Sequence, residues 1–420
     1  MSKSDKRIVK IVIIIFIILI VGEVTYSIIK GNVFKNNINI KDIVKEKENY
    51  NNYYYDDVKT LKSKKIYVFE DNDFKNIGEV YEDVILSLEQ GDKFDDGYFK
   101  IKDSDYYIDY KDIEKSDKDN IDYYWKNYIP YNESIKTTNK TNLYLNNKLI
   151  YAFDFGLDLP IVIKDNDYYG VIYKDNLYYV KKDECELFEN PNTELKHANS
   201  IATLVYHFVY DSENQEEKNK CLNMNSTICI SDLEFERHLK YMKDNNFYTA
   251  TMRDVEMFVD SKVQLPEHTT VITIDDGNFV SASIKMLEKY DLHATLFLIG
   301  IAGSPDDYKS NNLEIHSHTW NMHNGGRCPG GQGSEIKCLP KEEILEDLKK
   351  SRESLNNTTY FCWPFFEYND YAIETLKEAG FTMAFIGGRR KITPGMNKML
   401  LPRYGVINTT NVTDISKIIN

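Results

Sequence analysis

The sequence predicts an α/β protein whose main domain is built on a parallel sheet, open or closed into a barrel. A small β-rich module and an N-terminal transmembrane helix precede that domain. Three observations predict this. Strand and helix signals alternate from about Ser200 to the C-terminus. Short alternating segments between turn signals fill the stretch from 66 to 195. A basic cluster followed by an unbroken apolar run opens the chain.

At the N-terminus, Lys3, Lys6, Arg7 and Lys10 precede Ile11 to Gly22, a run without charge. Extended from Ile8 to Ile29, it approaches the roughly 20 residues that span a bilayer. The flanking positive charge predicts a cytoplasmic stub and anchor over 1–31, in a single-pass cell-membrane protein with everything after it outside. A cleaved signal peptide is the competing reading, but no clean small-residue cleavage site follows. Residues 32–65 are rich in Asn, Lys, Asp and Tyr and read as a spacer.

The β-rich module over 66–195 shows segments such as Ile66 to Phe69, Tyr98 to Ile101 and Gly170 to Tyr173, punctuated by Asp-Asn, Asp-Gly and Asn-Asn turns. Asp105 to Asp112 and Asn176 to Asp183 look related, which suggests a duplicated, SH3-like unit. No catalytic constellation lies here, so the module is read as a glycan binder or a spacer.

In the main domain, 200–420, Ile201 to Tyr210 reads as a strand. Ser231 to Glu234 forms a capping box that opens a helix with Phe235, Leu239 and Met242 on one face. Thr251 to Asp254 repeats that signal. Val271 to Ile274 is a buried strand, followed by a helix over 280–290 and a strand over 294–299. A helix over 342–355, a strand over 360–363, a helix over 371–379 and a strand over 382–386 continue the alternation. In such sheets chemistry gathers at the carboxyl ends of the strands.

Composition narrows the function. A net charge of −14 excludes a nucleic-acid partner, which needs a basic surface. The 32 tyrosines suit stacking on sugars as well as strand formation. Of the six cysteines, Cys221 with Cys229 in a polar loop, and Cys328 with Cys338 around a Gly-rich loop, could each close a small disulfide outside the cytosol. Cys185 and Cys362 are left over, the latter as a buried thiol in an apolar run.

Asp275 and Asp276 stand together at the end of the 271–274 strand. Adjacent carboxylates there need a metal or a shared proton unless both face water. Three histidines, His316, His318 and His323, follow another strand-like run, Leu313 to Ile315. Two imidazoles and one carboxylate form a catalytic metal site with an open position for water, and His318, His323 and one Asp of the pair could supply it.

Thr-Ile-Asp-Asp-Gly and Ser-His-Thr-x-x-x-His, in that order, resemble the first two motifs of the polysaccharide deacetylases, the NodB-homology domains of carbohydrate esterase family 4. The five-residue step from His318 to His323 resembles the branch acting on poly-β-1,6-N-acetylglucosamine. Phe361-Cys362-Trp363-Pro364-Phe365 resembles the third motif, and Leu401-Pro402-Arg403-Tyr404 the closing strand. The resemblance covers about Ser200 to Val406 and implies a distorted (β/α) barrel.

Carried over residue by residue, the resemblance implies that Asp276, His318 and His323 hold one divalent metal, Zn with Co or Ni as alternatives. Asp275 is then the general base, and Trp363, Pro364 and Phe365 line the substrate groove. No His follows His323, so His207, in a Tyr-His pair like the one opening the poly-N-acetylglucosamine branch, is the candidate general acid. The family's third motif often begins with an Arg that orients the base. Here Trp363 precedes Pro364, and Arg403 is the candidate to reach that place from the last strand. The implied activity is removal of N-acetyl groups from an N-acetylated amino-sugar polysaccharide, peptidoglycan or poly-N-acetylglucosamine. A catalytically silent glycan-binding wall protein and an O-acetyl esterase are the alternatives.

Overall fold

The computed structural model describes residues 57–94, 97–116, 124–190 and 195–420. The expected anchor and most of the expected spacer lie outside these residues. Among the described residues no helix is long and apolar enough to cross a membrane. The chain divides into two compact units, one reaching Asp119 and the other running from Asn120 to Asn420.

The described part of the first unit consists of antiparallel strands from Asp57–Thr60 to Ile113–Lys115. It begins inside the expected spacer. Val58 and Thr60 are buried at alternate positions of a strand too polar in sequence to be seen. The β-rich stretch expected at 66–195 is therefore shared between the units. Its second portion, from Glu133–Lys136 to Glu186–Glu189, forms another set of antiparallel strands. The two similar stretches each contribute a strand, Tyr106–Asp109 in one unit and Asn176–Lys181 in the other.

In the second unit seven parallel strands close into a barrel: β1 (Ala202–Tyr206), β2 (Thr269–Asp276), β3 (Ala294–Leu298), β4 (Leu313–Ser317), β5 (Tyr360–Cys362), β6 (Met383–Gly387) and β7 (Leu401–Gly405). Closure comes from β1, which pairs with β2 on one side and β7 on the other. Helices α1 (Asp232–Asp244), α2 (Met252–Val259), α3 (Val280–Tyr290), α4 (Lys341–Ser354), α5 (Asp370–Glu378) and α6 (Val412–Ile419) accompany the strands. The expected cap forms at α2, where Thr251 and Asp254 bond reciprocally, and Ser231 caps α1. The strand expected over 201–210 is broken at His207. Its second half, Phe208–Tyr210, leaves the barrel to pair with Cys229–Ser231. Cys221 lies in a helix, Gln215–Asn225, rather than the expected loop.

Strand periodicity sorts the side chains. Ile272 and Ile274 of β2, with Leu296 and Leu298 of β3, face outward to Phe235, Leu239, Leu287 and Ile415. Val271 and Phe297 face inward with Met383, Phe385 and Leu401. Met252, Val255 and Phe258 of α2 join this inner cluster, as do Trp125, Tyr128 and Val162 from the second unit's β portion. The Tyr128 hydroxyl donates to the buried Asp254 carboxylate at 2.8 Å. That packing lies at the amino ends of the strands, since the amide of Met252 donates to Glu314 at the start of β4. The opposite, carboxyl ends carry the polar residues.

Candidate active site

Five strand ends converge. Continuing the inward alternation of β2 beyond Val271 and Thr273 puts Asp275 inside the barrel mouth, almost fully buried. Burying a carboxylate is costly unless it is paired. Arg403 of β7, also fully buried, supplies the partner: its two terminal nitrogens donate to the two oxygens of Asp275 at 2.7 and 2.8 Å. This is bidentate geometry. The guanidinium also donates to Thr273 Oγ1 at 3.0 Å and touches the Cys362 sulfur at 2.7 Å. The Cys362 thiol in turn donates to Asp275 Oδ2 at 3.3 Å. Burial alone would raise the Asp275 pKa. Arg403, His318 and His207 outweigh it and hold the carboxyl well below the usual range. Burial pushes the Cys362 thiol up, so it stays protonated.

Asp276, the next residue, has φ of 78°. This turn out of β2 brings its Oδ1 to 3.5 Å from His318 Nε2 and 3.6 Å from His323 Nε2. One donor atom from each of the three residues lies within 4.8 Å of the others. Asp276 Oδ1 is buried and accepts no hydrogen bond. His318 Nδ1 is committed to the Cys362 carbonyl at 2.8 Å, which leaves Nε2 free to act as a ligand. Such a backbone bond is the usual way a ligand imidazole is oriented.

These residues fit a divalent cation. Ligand distances of about 2.0–2.2 Å are compatible with donor separations of this size. The electrostatics point the same way. Burial opposes charge on His318, but the Asp276 and Asp275 carboxylates beside it hold the imidazole well above its ordinary range. The pocket therefore calls for positive charge at this point. Burial and His318 push the His323 pKa down to about 4, leaving a neutral imidazole at physiological pH.

His207 stands at the break after β1. Its Nδ1 is buried without a hydrogen-bond partner, and both Asp275 and Asp276 act on it electrostatically. Burial lowers its pKa against the pull of those two carboxylates. The structure thus brings together Asp275, Asp276, His207, His318, His323 and Arg403.

The expected groove wall needs correction. Trp363 is fully buried, with its indole nitrogen donating to the Met399 carbonyl at 2.9 Å and its ring packed on Phe361. Pro364 is buried as well. The strand alternation that points Cys362 inward points Trp363 into the outer core with Ile344, Leu348 and Leu376. Only Phe365 of the three is partly exposed, its ring 4.4 Å from the His323 ring. Phe366, beyond the recognised segment, and Cys362 are the site neighbours that sequence reasoning missed. Inward alternation along β5 was the available signal for Cys362. His316 takes no part, bonding Thr358 Oγ1 at 2.6 Å and lying 3.2 Å from Glu314. Both expected disulfides, Cys221–Cys229 and Cys328–Cys338, are formed.

Residues 262–384 match the family model described as polysaccharide deacetylase. The chain is 25% identical over 177 residues to a putative polysaccharide deacetylase, YxkH, of Bacillus subtilis, covering 39% of this chain and 60% of that one. It is 24% identical over 194 residues to a poly-beta-1,6-N-acetyl-D-glucosamine N-deacetylase of Escherichia coli, covering 34% of this chain and 29% of that one. The chain thus spans less than two thirds of either relative's length. Among solved structures, the Streptococcus pyogenes deacetylase PplD in complex with acetate is 19% identical, with a TM-score of 0.44 over 53% of this chain and 98% of that one.

Proposed function

Because the chain carries a polysaccharide deacetylase domain, we propose that it hydrolyses N-acetyl groups from N-acetylglucosamine units of a cell-envelope polysaccharide, peptidoglycan or poly-N-acetylglucosamine. The observation that carries this is the unpartnered Asp276 oxygen facing two imidazole nitrogens, beside a second, arginine-paired carboxylate. Asp276, His318 and His323 would hold the divalent cation. When bound, it supplies Lewis acidity to the amide carbonyl and to water.

The remaining work falls to side chains of the chain. Asp275, fixed in direction by Arg403, takes a proton from the attacking water as the oxygen bonds to the acetyl carbon. His207, which must first take up a proton because burial lowers its pKa, gives it to the nitrogen as the carbon–nitrogen bond breaks, so acetate and a free amine leave. The silent-wall-protein alternative rested on the missing arginine of the third motif. Arg403 against Asp275 removes that argument.

The test is acetate release by the full chain, supplied in turn with Zn, Co and Ni. Substrates are β-1,6-linked N-acetylglucosamine oligomers, peptidoglycan and an O-acetylated glycan. Release from an N-acetylated substrate supports the reading. No release from any substrate with any metal sinks it, and release from the O-acetylated glycan alone makes the protein an esterase.

The proposal includes a location. The basic and apolar segment over 1–31 anchors the chain, and the two disulfides suit an oxidising exterior. Protease treatment of intact cells would digest the 200–420 domain if it lies outside and spare it if it lies within.

A further inference from the structure

Two bulky residues in succession, Phe365 and Phe366, adopt left-handed backbone with φ of 56° and 60°. Aromatic side chains rarely sit there, because Cβ crowds the following carbonyl. The surroundings enforce it. The Phe366 amide donates to the Trp363 carbonyl at 2.9 Å, and the Glu367 amide to Pro364 at 3.0 Å. The Glu367 carboxylate is gripped by Lys337 at 2.8 Å, by the Ser334 amide at 2.9 Å and by the Gln332 amide, all in the loop closed by Cys328–Cys338. Gly387 of β6 clears space for the ring, since a Cβ there would lie 2.7 Å from Phe366 Cδ2.

The ring so held lies 5.2 Å from the Arg403 guanidinium carbon and 6.5 Å from the His207 ring. It flanks both Arg403, which holds Asp275, and His207, the proposed proton donor to the departing nitrogen. Phe297 and Phe385, which also approach Arg403, are fully buried beneath it. Phe366 is partly exposed. Of the two partly exposed phenylalanines, Phe365 lies against His323 on the cation side, and Phe366 is the one beside Arg403 and His207, where it offers an apolar surface to the alkyl end of an acyl carbon attacked next to Asp275.

We propose that Phe366 sets the size of the acyl group the site accepts, limiting it to acetyl. This rests on the deacetylase reading. One methylene in an apolar pocket changes selectivity by roughly 10–200-fold, so the ring is sufficient to exclude butyryl.

The experiment compares kcat/KM for N-acetyl, N-propionyl and N-butyryl forms of one β-linked glucosamine oligomer, using the metal-supplied full chain. Phe366→Gly suits the left-handed backbone and vacates the ring. Phe366→Leu keeps an apolar side chain of smaller reach and decides the matter should the glycine variant not fold. The acetyl-to-butyryl ratio is expected to fall at least ~10-fold in Phe366→Gly and by less in Phe366→Leu. A ratio unchanged in a folded variant that still releases acetate overturns this proposal alone. Wild-type protein that releases no acyl group from any of the three overturns both this proposal and the deacetylase reading. A residue that only braced the fold would lower all three rates together and leave the ratio where it was.

Discussion

Replacing Arg403 by methionine would leave the Asp275 carboxylate buried without its bidentate partner. Both side chains are essentially inaccessible, at 0% and 1% exposure, so solvent cannot take over the pairing. Removing one partner of such a pair costs about 3–5 kcal/mol, most of it the penalty of stranding the other charge. For a domain of this size each kcal/mol is worth roughly 2–4 °C in Tm. Thermal unfolding of Arg403→Met should therefore start roughly 6–20 °C below wild type. Adding Asp275→Asn removes the stranded charge. The double variant should be more stable than Arg403→Met alone, with a coupling in the range of about 0.5–3 kcal/mol found for contacting residues. The assay is a double-mutant cycle by calorimetry, repeated with excess chelator and with Zn. A loss below about 1 kcal/mol in the single variant, as for a solvent-screened pair, would refute the reasoning. So would a double variant no more stable than that single.

The other expectations concern the cation and the buried carboxylates. His318→Ala should lose both bound metal and turnover, whereas Asp275→Asn should keep the metal and lose turnover; metal content by mass spectrometry, measured beside acetate release, separates the two. Chelation should lower Tm and Zn restore it, because a ligand at 100 times its Kd stabilises the native state by about 2.7 kcal/mol; equal Tm values in chelator and in Zn would count against a structural hold on the ion. Glu314 accepts from the Met252 amide and from Thr295 and lies 3.2–3.4 Å from His316 and His293. Against burial, these histidines hold its carboxyl well below the usual range. A depressed folded-state pKa stabilises fully above the unfolded value of about 4.3 and is lost as pH falls through the folded one. The Tm deficit of Glu314→Gln should thus be present at neutral pH and shrink below about pH 4. A deficit that keeps growing below about pH 4 would contradict this.

Much of the domain was legible because its signals are local. The apolar run at 271–274, the caps at Ser231 and Thr251 and the helix face of Phe235, Leu239 and Met242 each follow from neighbouring residues alone. The metal candidates were legible for the same reason, being bunched at the ends of two strands. The course of Trp363 was not. An aromatic residue beside a proline looks like a groove wall until the barrel fixes which face of β5 turns outward, and that is set by β4 and β6. The pairing of Arg403 with Asp275 spans 128 residues, so sequence could nominate the arginine but not measure its approach. Strand Asp57–Thr60 was hidden in polar composition, since only two of its four side chains are buried. The two consecutive left-handed phenylalanines have no sequence signal, because the ties at Glu367 and the gap at Gly387 that hold them come from distant segments.

If Asp275 is the base, as proposed, the arginine that holds it also weakens it. Two charge-assisted hydrogen bonds and a burial that excludes water keep its carboxyl well below the ordinary range. Proton transfer from free water, with a pKa near 15.7, to such a group would be far uphill. The arrangement makes chemical sense only if the water is acidified first, which a divalent cation does by bringing its pKa toward about 7. On the proposed reading, the strength of the Arg403 clamp and a cation held by Asp276, His318 and His323 would be two sides of one design, in which direction is gained at the expense of basicity. Loosening the clamp with Arg403→Lys should raise the Asp275 pKa and relax its aim together. Turnover should then fall even though the base becomes intrinsically stronger. A lysine variant that turns over faster than wild type at saturating Zn would show that basicity, rather than orientation, limits this site.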